Sequence, residues 1–371
     1  MSLDLSAPIA RVTAVAAAHA HEVDEGAFPE AAVQALREEG LLGLLSAPEV
    51  GGLGGTLADA YAVVHALATA CSSASMVVCM HYCGTAVLEK TADEATRRDV
   101  AAGRHLSTLA FSEAGSRSHF WAPSSTATPD GEAVVLQAQK SWITSASHAT
   151  AYVWSSRPVA ADGPSTLWLV PGNAGGLHVP RPYAGLGLRG NDSAPVTANG
   201  VRIPAANRLG ADGGGFDLMM GVVLPTFAVL NAAGSIGTMD RALTAAAAWC
   251  GNTRHEHLGT SLADLPTIRA YVARAALRAD QARTLAQDTL AALATGRPDA
   301  MIRVLQCKAG AGEAALEVTA TAMRVCGGAA YRREVGVERA FRDAQASSVM
   351  APTSDQCFDF LGKAACGLPL F

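Results

Sequence analysis

Between residues 106 and 209 the chain changes its period. Short apolar runs such as Ala133-Val134-Val135-Leu136 and Thr166-Leu167-Trp168-Leu169-Val170 are cut by the turn signals Pro129-Asp130-Gly131, Pro171-Gly172-Asn173 and Gly190-Asn191-Asp192. That is the pattern of several short strands. On either side the pattern is helical. Residues 29 to 37 are rich in helix formers, with Val33, Leu36 and Leu41 on one face. Residues 270 to 292 and 309 to 325 are alanine-rich and small enough for close helix packing. Pro266 belongs in a first turn or a loop, because it would break a helix interior. A strand-rich middle between helical ends constrains the chain to an α+β multidomain protein. The expected units are helical over 1–106, β over 107–208 and helical over 209–371.

Half of the 371 residues are apolar and only 16% are charged, the composition of a packed chain rather than a disordered one. A net charge of -5 offers no general attraction to nucleic acid or to an anionic membrane. The eight cysteines form no CxxC pair, so free buried thiols and a cytoplasmic setting are expected. The N-terminus has no basic region followed by an uninterrupted apolar core, which argues against a signal peptide. The apolar stretch 60–88 is broken by His65, Ser72, Ser73, Ser75, His81 and Tyr82, so it reads as buried helix rather than a membrane span. The run Val50-Gly51-Gly52-Leu53-Gly54-Gly55-Thr56 has no strand before it, and a turn between helices fits it better than a phosphate loop.

Several motifs stand in a telling order. They are Leu109-Ala110-Phe111-Ser112-Glu113-Ala114-Gly115-Ser116-Arg117-Ser118, Lys140-Ser141-Trp142-Ile143-Thr144-Ser145, Gly187-Leu188-Arg189-Gly190-Asn191-Asp192 and Val201-Arg202-Ile203-Pro204. Near the end come Cys326-Gly327-Gly328 and Glu338-Arg339-Ala340-Phe341-Arg342-Asp343-Ala344. Over nearly its whole length the chain resembles the acyl-CoA dehydrogenases. The resemblance implies an N-terminal helical domain, a middle β-barrel-like domain and a C-terminal four-helix bundle. It also implies FAD as cofactor and a homodimer or homotetramer. An acyl-CoA or acyl carrier protein-linked substrate would be the partner, with an electron-transfer protein or oxygen as acceptor.

By the same resemblance Phe111 and Ser112 would meet the flavin ring and Ser118 would lie near its phosphate. Trp142 would stack on the ring system, with Ile143 and Thr144 supplying backbone and hydroxyl contacts and Thr353 close by. Arg254 or His255, with Gly327 and Gly328, would complete the FAD site of a neighbouring subunit. Three positions depart from the family pattern: Leu258, Pro266 and Arg324. Glu113 is expected to support its loop. His81 is expected to be a satisfied core residue, and Arg339, Arg342 and Asp343 a structural ion-pair cluster.

The sharpest departure concerns the base. Removing a proton beside a thioester carbonyl requires a positioned acceptor, normally a carboxylate. The family keeps a glutamate shortly after Arg-Asp-Ala, and here that position is Ala351, within Met350-Ala351-Pro352-Thr353-Ser354-Asp355. The alternative location, residues 222 to 229, holds no carboxylate either. Asp355 is the remaining candidate base, although an acid after the cap candidates Thr353 and Ser354 also suits the first turn of a helix. Three functions follow: thioester α,β-dehydrogenation with an unconventional base, flavin-dependent monooxygenation, and a noncatalytic binding or assembly role.

Overall fold

The computed structural model describes residues 3–116 and 119–369. Six helices come first: α1 (Ser6–Ala18), α2 (Ala20–Asp24), α3 (Glu30–Glu38), α4 (Leu57–Ala70), α5 (Ser72–Thr91) and α6 (Glu94–Ala101). The glycine-rich run is the turn before α4. Thr56 closes it by a capping box: the Thr56 N–H donates to Asp59 at 2.8 Å, and the Thr56 hydroxyl accepts from the Asp59 N–H at 3.3 Å. Helix α5 is buried on nearly all sides. Its His81 donates through Nε2 to the Leu42 carbonyl at 2.8 Å and accepts at Nδ1 from the Ser107 N–H at 3.1 Å. With both nitrogens satisfied, burial draws its pKa down to about 4 and keeps the ring neutral.

Eight strands follow: β1 (Ser107–Ala110), β2 (Thr126–Asp130), β3 (Ala133–Ile143), β4 (Ala151–Ser156), β5 (Thr166–Pro171), β6 (Leu177–His178), β7 (Ala194–Pro204) and β8 (Arg208–Leu209). They form two four-stranded sheets, in the orders β1-β4-β5-β8 and β2-β3-β7-β6. The barrel-like middle unit thus consists of two sheets sharing one core. Tyr152, Trp154, Trp168 and Val170 of the first meet Val134, Leu136, Val196 and Ile203 of the second.

The C-terminal unit holds α7 (Gly215–Leu218), α8 (Leu224–Asn252), a hairpin of β9 (Arg254–His255) and β10 (Thr260–Ser261), α9 (Pro266–Thr295), α10 (Ala300–Cys326), α11 (Val337–Val349) and α12 (Ser354–Ala365). Pro266 is the first residue of α9, where its missing N–H leaves no bond unmade. Helices α8 to α11 pack as the four-helix bundle, with α12 against α10. Helix α8 also packs on α4 and α5, so one helix serves both helical units. The stretch Gly215–Asn252 is long and apolar enough to cross a membrane, but 78% of its most apolar window is buried inside the protein, as in a core helix.

Charges pin the three units together where α11 meets the loop before β7. The Asp343 carboxylate accepts from the Leu188 N–H at 2.8 Å and from Arg241 of α8 at 2.9 Å. Arg342 grips Asp24 of α2 through both terminal nitrogens, at 2.9 and 2.7 Å. The chain passes so close here that a Cβ on Gly187 would lie 2.3 Å from the Arg342 carbonyl oxygen. Arg342 and Asp343 are therefore in structural ion pairs, as the helical spacing of their charges suggested, whereas Arg339 donates to the backbone carbonyls of Ala20 at 3.0 Å and Ala70 at 3.4 Å. Removing one partner of a buried pair leaves the other charge uncompensated. Asp343→Ala is expected to cost about 3–5 kcal/mol, checked by chemical denaturation.

Candidate active site

A cavity of about 750 Å³ opens between the middle sheets, α5, the start of α8 and the segment between α11 and α12. Each wall has a local cause. Strand β1 ends at Ala110, and the chain after it runs across the cavity with Phe111 and Ser112 facing in. Strand β3 brings Trp142 and Ile143, and Thr144 follows directly after it. Its pairing with β7 slips between Lys140 and Ile143, and at this bulge Trp142 adopts a φ of 60°. Such a conformation is costly for a bulky residue and is found where a side chain is re-aimed for use. Trp142 leaves the sheet, stands 65% exposed and lies 4.2 Å from the Tyr183 ring, tilted by 34°. The Ser141 N–H donates to the Ser112 carbonyl at 2.9 Å, which ties the crossing segment to the bulge.

A buried ion pair fixes both segments. Lys140 Nζ donates to Glu113 Oε1 at 2.6 Å, to the Ser155 carbonyl at 2.7 Å and to the Ser155 hydroxyl at 2.9 Å. Glu113 also accepts from the Ser124 N–H at 2.7 Å and from the Ser124 hydroxyl. Burial alone would raise the Glu113 pKa, but the Lys140 charge and these hydrogen bonds carry it down to about 2. Burial draws Lys140 down to about 8 against the pull of Glu113. Glu113 therefore organises its loop, and with its oxygens engaged it is not free to take a proton.

Opposite, Met350, Ala351, Pro352 and Thr353 line the cavity, joined by Val223, Leu224 and Phe227 from the start of α8. Lys308 of α10 holds the first of these walls in place. It is fully buried, and Nζ donates to the carbonyls of Ser347 at 3.0 Å and Met350 at 2.9 Å. The two carbonyls at the end of α11 thus find a cation in place of solvent, and burial draws Lys308 down to about 8. Thr353 caps α12, its hydroxyl accepting from the Gln356 N–H at 3.2 Å.

The structure thus brings Phe111, Ser112, Trp142, Ile143, Thr144, Ala351 and Thr353 to one cavity. Ser118 lies outside the described residues. Asp355 requires a correction: it is an exposed first-turn acid of α12 and does not line the cavity. It sits in the first turn of α12, where the helix dipole favours an acid. Arg254, Gly327 and Gly328 are exposed and do not line this cavity. Helix α8 has 29 residues, so roughly 43 Å separate its cavity end from the Arg254 hairpin. Gly327, at φ 59°, follows α10 beside that far end. One ligand cannot meet both groups of residues on a single chain. The sequence reading missed Tyr183, for which no signal exists, and Lys308, a lone charge in the small-residue run Cys307-Lys308-Ala309-Gly310-Ala311.

Among the described cavity residues the only carboxylate is Glu113 and the only cation is Arg189. The hydroxyls of Ser112 and Thr144 have no hydrogen-bond partner among the described residues. A planar ring with polar edges fits this set: an exposed indole for its face and hydroxyls for its rim. Phosphates would find little charge here and would need cations from elsewhere. The ion pair is testable by pH. A folded-state pKa below the ordinary 4.5 of a glutamate means that the stabilisation by Glu113 is complete above pH 4.5 and is lost as pH falls towards 2. Denaturation curves should show wild-type stability falling more steeply across that window than that of Glu113→Gln, which starts about 3–5 kcal/mol lower because Lys140 is left unpaired. Lys308→Met should cost about 1–3 kcal/mol per stranded carbonyl, by the same measurement.

Comparison with known proteins gives a consistent answer. Family profiles for the acyl-CoA dehydrogenase N-terminal, middle and C-terminal domains match residues 9–103, 108–201 and 213–365. The mitochondrial short-chain specific acyl-CoA dehydrogenase of Bos taurus is 30% identical over 346 residues, covering 91% of this chain and 82% of that protein. The short/branched chain specific enzyme of the same organism is 28% identical over 354 residues, covering 92% and 79%. The structure of butyryl-CoA dehydrogenase from Megasphaera elsdenii superposes with a TM-score of 0.89 at 20% identity, covering 99% of this chain and 100% of that one. This chain belongs to the acyl-CoA dehydrogenase family.

Proposed function

We propose that the chain is an FAD-dependent oxidoreductase that removes hydrogen from the α and β carbons of an acyl thioester, carried by CoA or an acyl carrier protein. The observation that carries this reading is the convergence of the Phe111–Ser112 crossing segment, the Trp142 bulge and the 350–353 segment on one cavity. Members of the family are FAD flavoproteins, and bound FAD would accept the hydride. Trp142 would cover one face of its ring, and Ser112 and Thr144 would bond its polar edge. Phe111, Ile143 and Thr353 would shape the remainder. The phosphates would draw on Ser118 and on Arg254, Gly327 and Gly328 of a second copy, since those residues stand at the far end of α8. That separation supports a homodimer or homotetramer. An electron-transfer partner or oxygen would then reoxidise the flavin.

The proton is the weak point of the site. Ala351 offers a methyl group where an acceptor is needed, Asp355 faces away and Glu113 is held by Lys140. Thioester oxidation by the native chain would therefore be slow. The same observation favours a second reading, flavin-dependent monooxygenation, in which no carbon-acid proton need be removed.

The purified holoprotein is expected to show the visible spectrum of bound FAD and to bleach anaerobically with acyl thioesters. Ala351→Glu is expected to speed that bleaching by about 10²-fold or more, whereas Asp355→Asn should stay within about twofold of wild type, a difference too small to reflect loss of a catalytic base. Stopped-flow absorbance reads both. Absence of bleaching in wild type and Ala351→Glu alike, with oxygen uptake dependent on reduced flavin and substrate, would move the assignment to the monooxygenase.

A further inference from the structure

Oxidising a saturated acyl group and oxidising a carbinol make different demands on a site. In the first, both hydrogens leave carbon, and the one lost as a proton needs a positioned base. In the second, one hydrogen leaves oxygen, and an O–H proton passes readily to a neighbouring hydroxyl or to water. The cavity is poorly equipped for the first reaction. Position 351 carries a methyl group, and Glu113, the only carboxylate among the described cavity residues, is bound to Lys140 at 2.6 Å.

One corner, beside Trp142, is equipped for the second. Tyr183 donates its N–H to the Ser193 carbonyl at 2.8 Å, and its hydroxyl lies 3.1 Å from the Ser141 hydroxyl. Asn191 and Ser193 line the same cavity on a fixed backbone. The Asn191 carbonyl accepts from the Ser145 N–H at 2.9 Å, and the Asp192 carbonyl accepts from the Ala146 N–H at 3.1 Å. The Asp192 side chain is engaged outside the cavity, with the Ser147 N–H at 2.6 Å and His148 at 2.9 Å. Asn191 is only 6% exposed, and its Oδ1 accepts from the Ser193 N–H at 3.1 Å. That bond orients the amide. It leaves Nδ2 without a partner among the described residues, and the Ser193 hydroxyl is likewise unpartnered.

A donor taken out of water without an acceptor is costly. A saturated acyl thioester brings one oxygen near its reacting carbons, its carbonyl. Asn191 and Ser193 are hydrogen-bonded to each other, so their two free donors are neighbours and suit oxygens on adjacent carbons. A hydroxyl beside the thioester carbonyl supplies the second oxygen. The kind of group left free also selects. Nδ2 only donates, so its partner must accept, as a hydroxyl or ketone oxygen does and an ammonium does not. Arg189, the only cation among the described cavity residues, repels an ammonium as well.

We infer that the acyl group oxidised at this site carries a hydroxyl on the carbon next to the thioester carbonyl, and that the product is the 2-ketoacyl thioester. The inference rests on the FAD and thioester parts of the reading above, and names the substrate class that a site without a carbon-acid base can oxidise. The carbinol C–H bond breaks, and its electron pair passes with the hydrogen to bound FAD as hydride. The C–O bond becomes C=O, and the O–H proton leaves to water by way of the Ser141 and Tyr183 hydroxyls. The substrate loses two electrons and the cofactor gains them. Asn191 Nδ2 and the Ser193 hydroxyl face the oxygen as its proton departs, where fixed donors act most strongly.

Anaerobic stopped-flow bleaching of the holoprotein tests this, with butanoyl-, 2-hydroxybutanoyl-, glycoloyl- and 2-aminobutanoyl-pantetheine as substrates. The 2-hydroxybutanoyl compound is expected to bleach the flavin at least about 10²-fold faster than butanoyl. Deuterium on its carbinol carbon should slow the bleaching. Glycoloyl-pantetheine has no β carbon and should bleach the flavin too. Asn191→Leu should slow oxidation of the 2-hydroxybutanoyl compound about tenfold, and Ser193→Ala serves if Asn191→Leu does not fold. Unchanged rates in the folded variants would overturn the inference. So would butanoyl or 2-aminobutanoyl reacting as fast as the hydroxyacyl compound, or a silent glycoloyl thioester; each leaves the thioester reading intact. No bleaching by any of the four, in Ala351→Glu as in wild type, would overturn the thioester reading and this inference together.

Discussion

Two segments distant in sequence must be held at one height for the cavity to exist, and a buried ion pair holds them together with the Ser141–Ser112 backbone bond. Lys140 stands two residues before the strained Trp142, and Glu113 stands one residue after Ser112. Their contact at 2.6 Å joins the crossing segment to the bulge at the wall of the cavity. Isolated, either charge would be too costly to bury. Paired, and with Ser124 and Ser155 satisfying the remaining donors and acceptors, they fix a geometry that an apolar pair could leave free to slide. A buried pair of this kind gives modest net stability. Here its consequence is positional: it sets where Trp142, Ser112 and Thr144 face.

The second constraint is α8. Its apolar residues are committed at once to the N-terminal helices and to the C-terminal bundle, so the three units share cores rather than merely touch. The charges at Asp343 and Arg342 then lock the loop of Gly187 and Leu188 onto that shared spine. Main-chain approach at Gly187 leaves no space for a side chain, which accounts for a glycine there in terms of contact alone. Shape at the cavity is therefore a property of the whole chain, since each wall comes from a different unit.

Much of this was legible in the residues. The change of period at either end of the middle unit, the cap at Thr353 and the satisfied His81 all follow from local chemistry that a sequence displays. The motifs placed Phe111, Ser112, Trp142, Ile143 and Thr144 together, which spacing alone could not do. What stayed hidden depends on the third dimension. Strand alternation alone would not reveal that the β3–β7 register slips and throws Trp142 out of the sheet. Asp355 is near Ala351 in sequence but faces solvent, because a helix begins between them and turns the next side chains away. The polar corner of Ser141, Tyr183, Asn191 and Ser193 arises from three separate segments, and no short window of sequence contains it.

Lys308 bears on how the wall at Ala351 is held. Its two hydrogen bonds go to backbone carbonyls, at Ser347 and Met350, and so act on the path of the chain irrespective of the side chain carried at 351. A buried ammonium with no carboxylate partner at hand is expensive, and the carbonyls at the end of α11 are the groups that satisfy it. The 350–353 segment is therefore held against the cavity by a device unconnected to proton transfer. Position 351 is therefore held at the cavity wall with a methyl group as its side chain, and that wall is formed rather than collapsed. A scaffold that had drifted from any ligand would have no physical reason to keep this wall open beside a strained, exposed indole. The geometry instead describes a formed chamber walled in part by the apolar surfaces of Leu224, Phe227 and Pro352.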